Sequence, residues 1–192
     1  MKSKIIAKDK EHLIELIAVE IENSGRRCDL NHIDVSTVEN MCDVFFYFFF
    51  NGDISKWDTS KVKYMGNMFC HSQFNGDISQ WNTSQVINMV QMFHNSPFNN
   101  DISQWNVSKL KYMDYMFTNS QFTGDISEWN VSNVQNFNKI FLGKNMPSPY
   151  WAEIDDEQKR IALINIYQLN KQLSQELSND NTVPKYATHL VY

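Results

Sequence analysis

The chain has 192 residues, of which 42% are hydrophobic and 14% aromatic, so it carries enough apolar side chains to bury the core of one domain. Its formal net charge is −5, and residues 50–145 balance seven acidic with seven basic side chains. A neutral repeat surface of this kind lacks the basic stripe that binds a phosphate backbone, so we expect no nucleic-acid partner.

Residues 1–27 are predicted to form an N-terminal capping segment. An amphipathic helix is expected from Asp9 to Ser24, with Gly25 ending it, because one face carries Leu13, Ile14, Ile17, Ala18 and Ile21. The apolar run before that helix is too short for an export signal, which needs about 7–15 apolar residues. No stretch approaches the roughly 18 apolar residues of a membrane span, so we expect no membrane partner.

Three cysteines, Cys28, Cys42 and Cys70, make an odd count at unrelated positions of the repeat. Reduced thiols of this kind are typical of a cytoplasmic protein rather than of a disulfide framework. We therefore expect a cytoplasmic location.

Residues 28–145 contain a 24-residue repeat. The run from Phe50 to Trp57 returns from Phe74 to Trp81, from Phe98 to Trp105 and from Phe122 to Trp129, and a degenerate copy starts at Asp29. A fixed period of this length predicts a solenoid in which each repeat contacts only its neighbours.

Each repeat is predicted to contain a brief strand and a short helix. Residues Asp53 to Trp57 favour the strand, and stacked strands would form a parallel sheet on one face. From Ser60 to Phe69 the apolar residues fall at i, i+3, i+6 and i+7 after a serine suited to an N-cap, which favours the helix. The predicted fold class is α/β, with about five such strand–helix coils and helical caps at both ends.

The repeated pattern F-N-x-D-I-S-x-W-[DN]-[TV]-S-x-[VL]-x-x-M-x-x-M-F resembles the repeat of the BspA-type leucine-rich-repeat surface-protein family. That family includes many mycoplasma and other bacterial surface lipoproteins, and the resemblance covers about residues 28–145. It implies a right-handed leucine-rich-repeat-like solenoid and, by association, adhesion or protein binding. It supplies no catalytic residue.

Residues 146–192 are predicted to hold a linker, a C-terminal helix and a tail. Met146 to Pro149 has two prolines and marks a break. A packed helix is expected from about Asp155 to Leu177, with its apolar side carrying Leu163, Ile166, Tyr167, Leu173 and Leu177. The pattern leaves the conformation of the tail open.

Four aromatic residues interrupt the repeat pattern, and we term them the aromatic loop: Phe46, Tyr47, Phe48 and Phe49. The same columns of later repeats hold small or polar residues. Such a loop either forms an exposed contact site for a partner protein or packs beneath the N-terminal cap. We expect most of the rings to pack and at least one to be exposed.

Two further features have competing interpretations. An aspartate column could bind calcium, but we expect each carboxylate to accept hydrogen bonds from turn N–H groups: Asp29, Asp53, Asp77, Asp101 and Asp125. Cys70, His71 and His94 could hold zinc, but a fourth ligand is not evident. We therefore predict no metal and no cofactor.

A variable column of polar residues is a second candidate for partner binding, and we term it the polar column: Lys56, Gln80, Gln104 and Glu128. The alternative is an ordinary solvated face. No nucleophile–base pair or phosphate loop is found, so we expect no enzymatic activity.

The functional prediction is a non-enzymatic protein-binding scaffold, and an inhibitor or neutraliser of another protein inside the cell is its concrete version. The alternative predictions are a bacterial adhesion module and a metal-dependent protein using Cys70 and the histidines.

Overall fold

The structure is a computed structural model, and it describes residues 3–136, 138–142, 149, 151–152, 154, 158–159, 162–167 and 169. The chain divides into two compact units, Met1–Pro149 and Tyr150–Tyr192. The first unit holds every repeat.

The N-terminal helix forms as the sequence predicts. Helix α1 spans Lys10–Ser24, and Asp9 caps it by accepting a 2.8 Å hydrogen bond from the backbone N–H of His12. Gly25 ends the helix with φ 80°, a left-handed value that favours glycine. Leu13 and Ile17 are buried, so α1 packs on the core through these two positions.

Two very short strands flank α1, and their pairing was not predicted from the sequence. Strand β1 spans Ile5–Ile6 and pairs in parallel with β2, Ile33–Asp34. The hydrophobic pattern missed β1 because both of its side chains are exposed and its pairing depends only on backbone groups.

The predicted α/β fold class is wrong, because the repeats do not form the right-handed leucine-rich-repeat-like solenoid of about five strand–helix coils. Among the described residues of the first unit, α1 is the only α-helix and β1 and β2 are the only strands. The repeats themselves consist of turns joined by single β-bridges between residues 24 apart, and the one described helix in this unit precedes them.

Backbone geometry explains why the segment from Ser60 to Phe69 is not helical. Asn67 and His71 have positive φ, at 55° each, and the equivalent residues of the other repeats do too. An α-helix of L-residues needs negative φ throughout, so a left-handed residue every fourth position prevents it. The result is a chain of tight turns with left-handed residues at fixed places.

The predicted strand at Asp53–Trp57 also fails, for a local reason. The Asp53 carboxylate accepts the N–H of Ser55 at 2.9 Å, and the N–H of Trp57 bonds to the carbonyl of Ile54. These bonds make a turn and leave a single bridge, Asp29↔Asp53, in this half of the repeat. The other described bridges lie in the second half, in the column of Asn40, Tyr64, Asn88, Tyr112 and Asn136.

Hydrogen bonds between neighbouring repeats hold the turns in register. The N–H groups of alternate residues donate to carbonyls of the next repeat, as from Met41 to Tyr64 at 2.8 Å and from Phe45 to Met68 at 3.0 Å. The same bonds recur 24, 48 and 72 residues later. Each repeat therefore meets the next through a fixed set of backbone bonds, which makes the spacing of 24 residues a geometric requirement.

Aromatic stacks fill the space inside the turns. One stack contains Phe45, Phe69, Phe93, Phe117 and Phe141, with ring centroids 5.5 to 5.7 Å apart. A second contains Phe50, Phe74, Phe98 and Phe122, at 6.2 to 6.4 Å. The indole N–H groups of the buried tryptophans in the repeats are also hydrogen-bonded. For example, Trp81 Nε1 donates to the carbonyl of Ile54 at 3.1 Å.

The second unit is described in part. Residues 158–159, 162–167 and 169 are helical, within the predicted C-terminal helix. The predicted apolar side is wrong at Leu163 and Ile166, which are exposed, whereas Ile164 and Trp151 are buried. The predicted linker at 146–148, the remainder of the helix and the tail lie outside the described residues.

Candidate functional site

All four side chains of the aromatic loop are exposed. The exposed fractions of Phe46, Tyr47, Phe48 and Phe49 lie between 37% and 60%. The expectation that most of these rings pack beneath the cap is therefore wrong, whereas the expectation of at least one exposed ring is confirmed. Four consecutive exposed aromatic residues are unusual on a solvent-exposed surface that has no binding role.

The two residues that flank the loop explain its outward direction. Phe45 and Phe50 are both buried, and their rings stack with centroids 4.8 Å apart. The four residues between them must connect two adjacent core positions, so their side chains point away from the core. The N–H of Phe48 closes a turn onto the carbonyl of Phe45, and Tyr47 sits in that turn with φ 54°.

Backbone contacts fix the loop at both ends. The N–H of Tyr47 donates to the carbonyl of Cys70 in the next repeat at 3.0 Å, and the N–H of Asn51 donates to the carbonyl of Arg26 at 2.9 Å. Gly52 follows at a place where a Cβ atom would lie 2.1 Å from the carbonyl oxygen of Cys28. The rings are thus mounted on an ordered segment rather than on a free loop.

Neighbouring side chains support the rings. Tyr47 stacks on His71 with centroids 4.3 Å apart, and Phe46 meets Tyr47 edge-on at 4.7 Å. The guanidinium of Arg26 lies 5.3 Å from the centre of the Phe49 ring, a cation–π distance. Arg26 and His71 were not predicted from the sequence as part of this site, although the 24-residue period places His71 in the column of Tyr47.

The three residues considered for zinc are only partly brought together. His71 and His94 lie with ring centroids 5.5 Å apart, and burial, followed by the nearby His71, lowers the pKa of His94. Burial, followed by the charge of Asp43, raises the pKa of Cys70 to about 11, so its thiol is protonated at neutral pH. Over the part of the chain that the structure describes, no group of three or more His, Cys, Asp or Glu is placed to hold a metal ion.

The polar column is exposed at each of its four positions, Lys56, Gln80, Gln104 and Glu128. Gln80 donates to the Ser79 hydroxyl at 3.3 Å, and Gln104 makes the equivalent bond. No hydrogen bond or ring contact among the described residues connects the aromatic loop to Lys56, Gln80 or Gln104. These two predicted binding regions are therefore separate features of the surface.

The aspartate column forms turns, as expected. Each carboxylate accepts the backbone N–H of the residue two positions later, at 2.7 to 2.9 Å. The bonds from Ser103 and Ser127 lower the pKa values of Asp101 and Asp125, so both carboxylates are ionised at neutral pH.

Acid is expected to destabilise the fold through a related carboxylate, Asp34. Its Oδ1 accepts the N–H of Ser36 at 3.0 Å, and Lys4 Nζ lies 2.9 Å from its Oδ2. These bonds, that from Ser36 foremost, hold the pKa of Asp34 at about 2, below the ordinary 3.8. A carboxylate with a lowered folded-state pKa stabilises the fold above its unfolded pKa, and this contribution is lost as the pH falls toward about 2.

The melting temperature should therefore fall between about pH 4 and pH 2. The variant Asp34→Asn keeps an amide oxygen for Ser36 but loses the titrating charge, so its melting temperature should fall less over the same interval. Thermal melts of the two proteins at each pH compare the falls, and equal falls would contradict the role of Asp34.

Comparisons with known proteins place the chain in a family. No curated protein and no solved structure matches the chain significantly. No described helix has the length and apolar content needed to cross a membrane. One family model matches twice, over residues 19–97 and 49–149, and its second match alone covers more than half of the chain. The chain therefore belongs to the family described as Mycoplasma protein of unknown function, DUF285.

Proposed function

We propose that the chain is a non-enzymatic protein-binding scaffold and that the aromatic loop receives its partner protein. The exposure of the four consecutive rings carries this proposal. Exposed aromatic clusters mark interaction sites, and aromatic residues dominate the energetics of protein–protein interfaces.

Preorganisation is the proposed source of affinity. Tyr47 is already held by its backbone bond to Cys70 and by stacking on His71, and Phe49 by Arg26. A partner that covers these rings gains apolar burial without first having to order the loop. Ordering one interface side chain on binding costs about 0.5–1.5 kcal/mol, so a loop that is already ordered avoids this cost for several side chains.

The partner is proposed to be another protein inside a bacterial cell, and the scaffold to act there as an inhibitor or neutraliser. The likeness of the repeat to the BspA-type family is consistent with protein recognition. The polar column offers a second contact surface in this proposal, through Lys56, Gln80, Gln104 and Glu128.

Affinity capture from source-cell lysate tests the proposal, with mass spectrometry to identify what is retained. The wild-type chain is compared with Phe46→Ser/Phe48→Ser and with a matched control, Val19→Ser/Leu142→Ser, at two exposed apolar residues outside both surfaces. A protein retained by the wild type and the control but lost from the loop variant supports the proposal. Equal retention by all three baits would place binding elsewhere.

A second candidate function is an adhesion or surface-interaction module. The match to the Mycoplasma family, together with the resemblance of the repeat to surface proteins, favours it. Fractionation of source cells with an antibody to the chain separates the two candidates. Protein in the cytoplasmic fraction supports the inhibitor, and protease-accessible protein on intact cells supports the adhesion module.

A further inference from the structure

Two lysine pairs, 48 residues apart in sequence, lie on the same face of the repeats. Lys61 and Lys63 form the first pair, and Lys109 and Lys111 form the second. The backbone keeps them in register, because the N–H of Ile87 donates to the carbonyl of Lys63 at 2.9 Å and the N–H of Lys111 donates to that of Ile87 at 3.0 Å. Lys61, Lys109 and Lys111 are exposed and Lys63 is half-buried.

An exposed tyrosine accompanies each pair. Tyr64 and Tyr112 are 39% and 36% exposed, and both form a β-bridge with Asn88 of the repeat between them. Phenol rings beside ammonium groups present apolar area and a hydroxyl together with positive charge. We term these six residues the lysine face: Lys61, Lys63, Tyr64, Lys109, Lys111 and Tyr112.

The positive charge of the first pair is partly balanced. Lys63 Nζ lies 2.9 Å from a carboxylate oxygen of Glu39. Asp58 lies close enough to Lys61 for that charge to help lower the pKa of Asp58, after the hydrogen bonds from Ser60.

The second pair meets neutral neighbours. Lys109 Nζ donates to the uncharged Gln85 amide at 2.8 Å. The residues 48 positions after Asp58 and Glu39, which stand beside the second pair as those two stand beside the first, are Asn106 and Ile87, and both are uncharged. Among the described residues no ion pair involves Lys109 or Lys111, so the positive charge of this face is concentrated at the second pair, in a chain whose net charge is −5.

We propose that the lysine face binds an acidic, extended segment of a partner protein. Tyr64 and Tyr112 each form a β-bridge with Asn88, and bridged segments lie about 4.7–4.9 Å apart, so the two lysine pairs are separated by about 10 Å. An extended chain advances about 3.3 Å per residue. Carboxylates three or four residues apart in such a segment reach both pairs.

A protein segment fits this face better than a nucleic acid does. Glu39 and Asp58 border the first pair, and the whole chain has a pI of about 5.5, so a long polyanion meets repulsion on either side of the lysines. A short acidic segment can place its carboxylates beside the lysines without extending over the neighbouring acidic residues. The proposal adds a second surface to the proposed scaffold and does not depend on the aromatic loop.

Fluorescence anisotropy with a labelled peptide, Glu-Glu-Val-Thr-Glu-Glu, tests this surface at low salt. Because exposed charge contacts are individually weak, Lys109→Gln/Lys111→Gln should weaken binding about fivefold to tenfold. Lys61→Gln/Lys63→Gln should weaken it less, because that pair is already partly balanced. The control Lys8→Gln/Arg27→Gln removes the same charge at two exposed residues elsewhere and should change the affinity less than about twofold.

Three controls decide the interpretation. A peptide with glutamine in place of glutamate should bind at least fivefold more weakly, and Phe46→Ser/Phe48→Ser should bind the acidic peptide like the wild type, which separates this surface from the aromatic loop. Circular dichroism checks that each variant is folded. The proposal is overturned by equal weakening in the Lys8/Arg27 control, by no binding of the acidic peptide to the wild type, or by tighter binding of an oligothymidylate of equal charge.

Discussion

Replacing Trp81 with alanine is expected to lower the free energy of unfolding by about 3–5 kcal/mol, the usual cost of truncating a large buried aromatic. The Trp81 side chain is only 3% exposed, and its ring stacks on Trp57 with centroids 6.2 Å apart. The substitution also removes one of the two donors to the carbonyl of Ile54, which keeps only the backbone N–H of Trp57. Urea denaturation followed by tryptophan fluorescence or circular dichroism measures the loss.

The adjacent residue provides the control. Gln80 is exposed and bonds only to the neighbouring Ser79 among the described contacts, so Gln80→Ala should cost less than about 0.5 kcal/mol. The opposite order of the two effects would mean that the inward and outward faces of the repeat have been exchanged.

The second large effect is expected from deletions of different length. Removing residues 74–97, one whole repeat, should leave a folded protein, because the repeats on either side present the same hydrogen-bonding columns. The N–H of Met65, which donates to the carbonyl of Asn88, would meet the equivalent carbonyl of Tyr112 instead. The stack of Phe50, Phe74, Phe98 and Phe122 would simply lose one ring.

Removing residues 74–85, half a repeat, should prevent folding. Each backbone donor would then face a carbonyl half a repeat out of place, and Val86 would occupy the position of the buried Phe74. Thermal melts by circular dichroism compare the two deletions. Similar cooperative transitions in both would contradict the 24-residue register of backbone bonds.

The sequence predicted the repeat period and most of the buried columns, because apolar residues recur at fixed positions within each 24-residue unit. It failed on secondary structure at Ser60–Phe69, where the apolar spacing matched a helix. The residues at the left-handed positions there include Asn67 and His71, and neither type forces positive φ. Hydrogen bonding between repeats selects that conformation, and a single repeat does not encode it.

The residues of the candidate site were predicted from the sequence, but the exposure of all four rings was not. The aromatic loop stood out because its four residues depart from the repeat columns. Whether the rings pack or point outward depends on the stacking of Phe45 against Phe50, which leaves no inward path for the residues between them. Arg26 lies outside the repeats, so periodicity alone could not place it over Phe49.

The lysine face was not predicted from the sequence, for a different reason. Charge counted along residues 50–145 is balanced, and this suggested a neutral surface. The fold separates the charges in space, placing Lys109 and Lys111 beside uncharged neighbours and most of the aspartates in turns of the other half of the repeat.

The central claim is that the aromatic loop is displayed for binding and contributes little to the fold. Its direct test is to measure, on the same preparation of Phe46→Ser/Phe48→Ser, both the melting temperature and the affinity for the captured partner by calorimetry. We predict a melting temperature within about 2 °C of the wild type, because both rings are already exposed, and a loss of affinity of at least about 100-fold, as expected for two hot-spot aromatics. A loss of several kcal/mol in stability with unchanged affinity would contradict the claim and return these rings to a packing role.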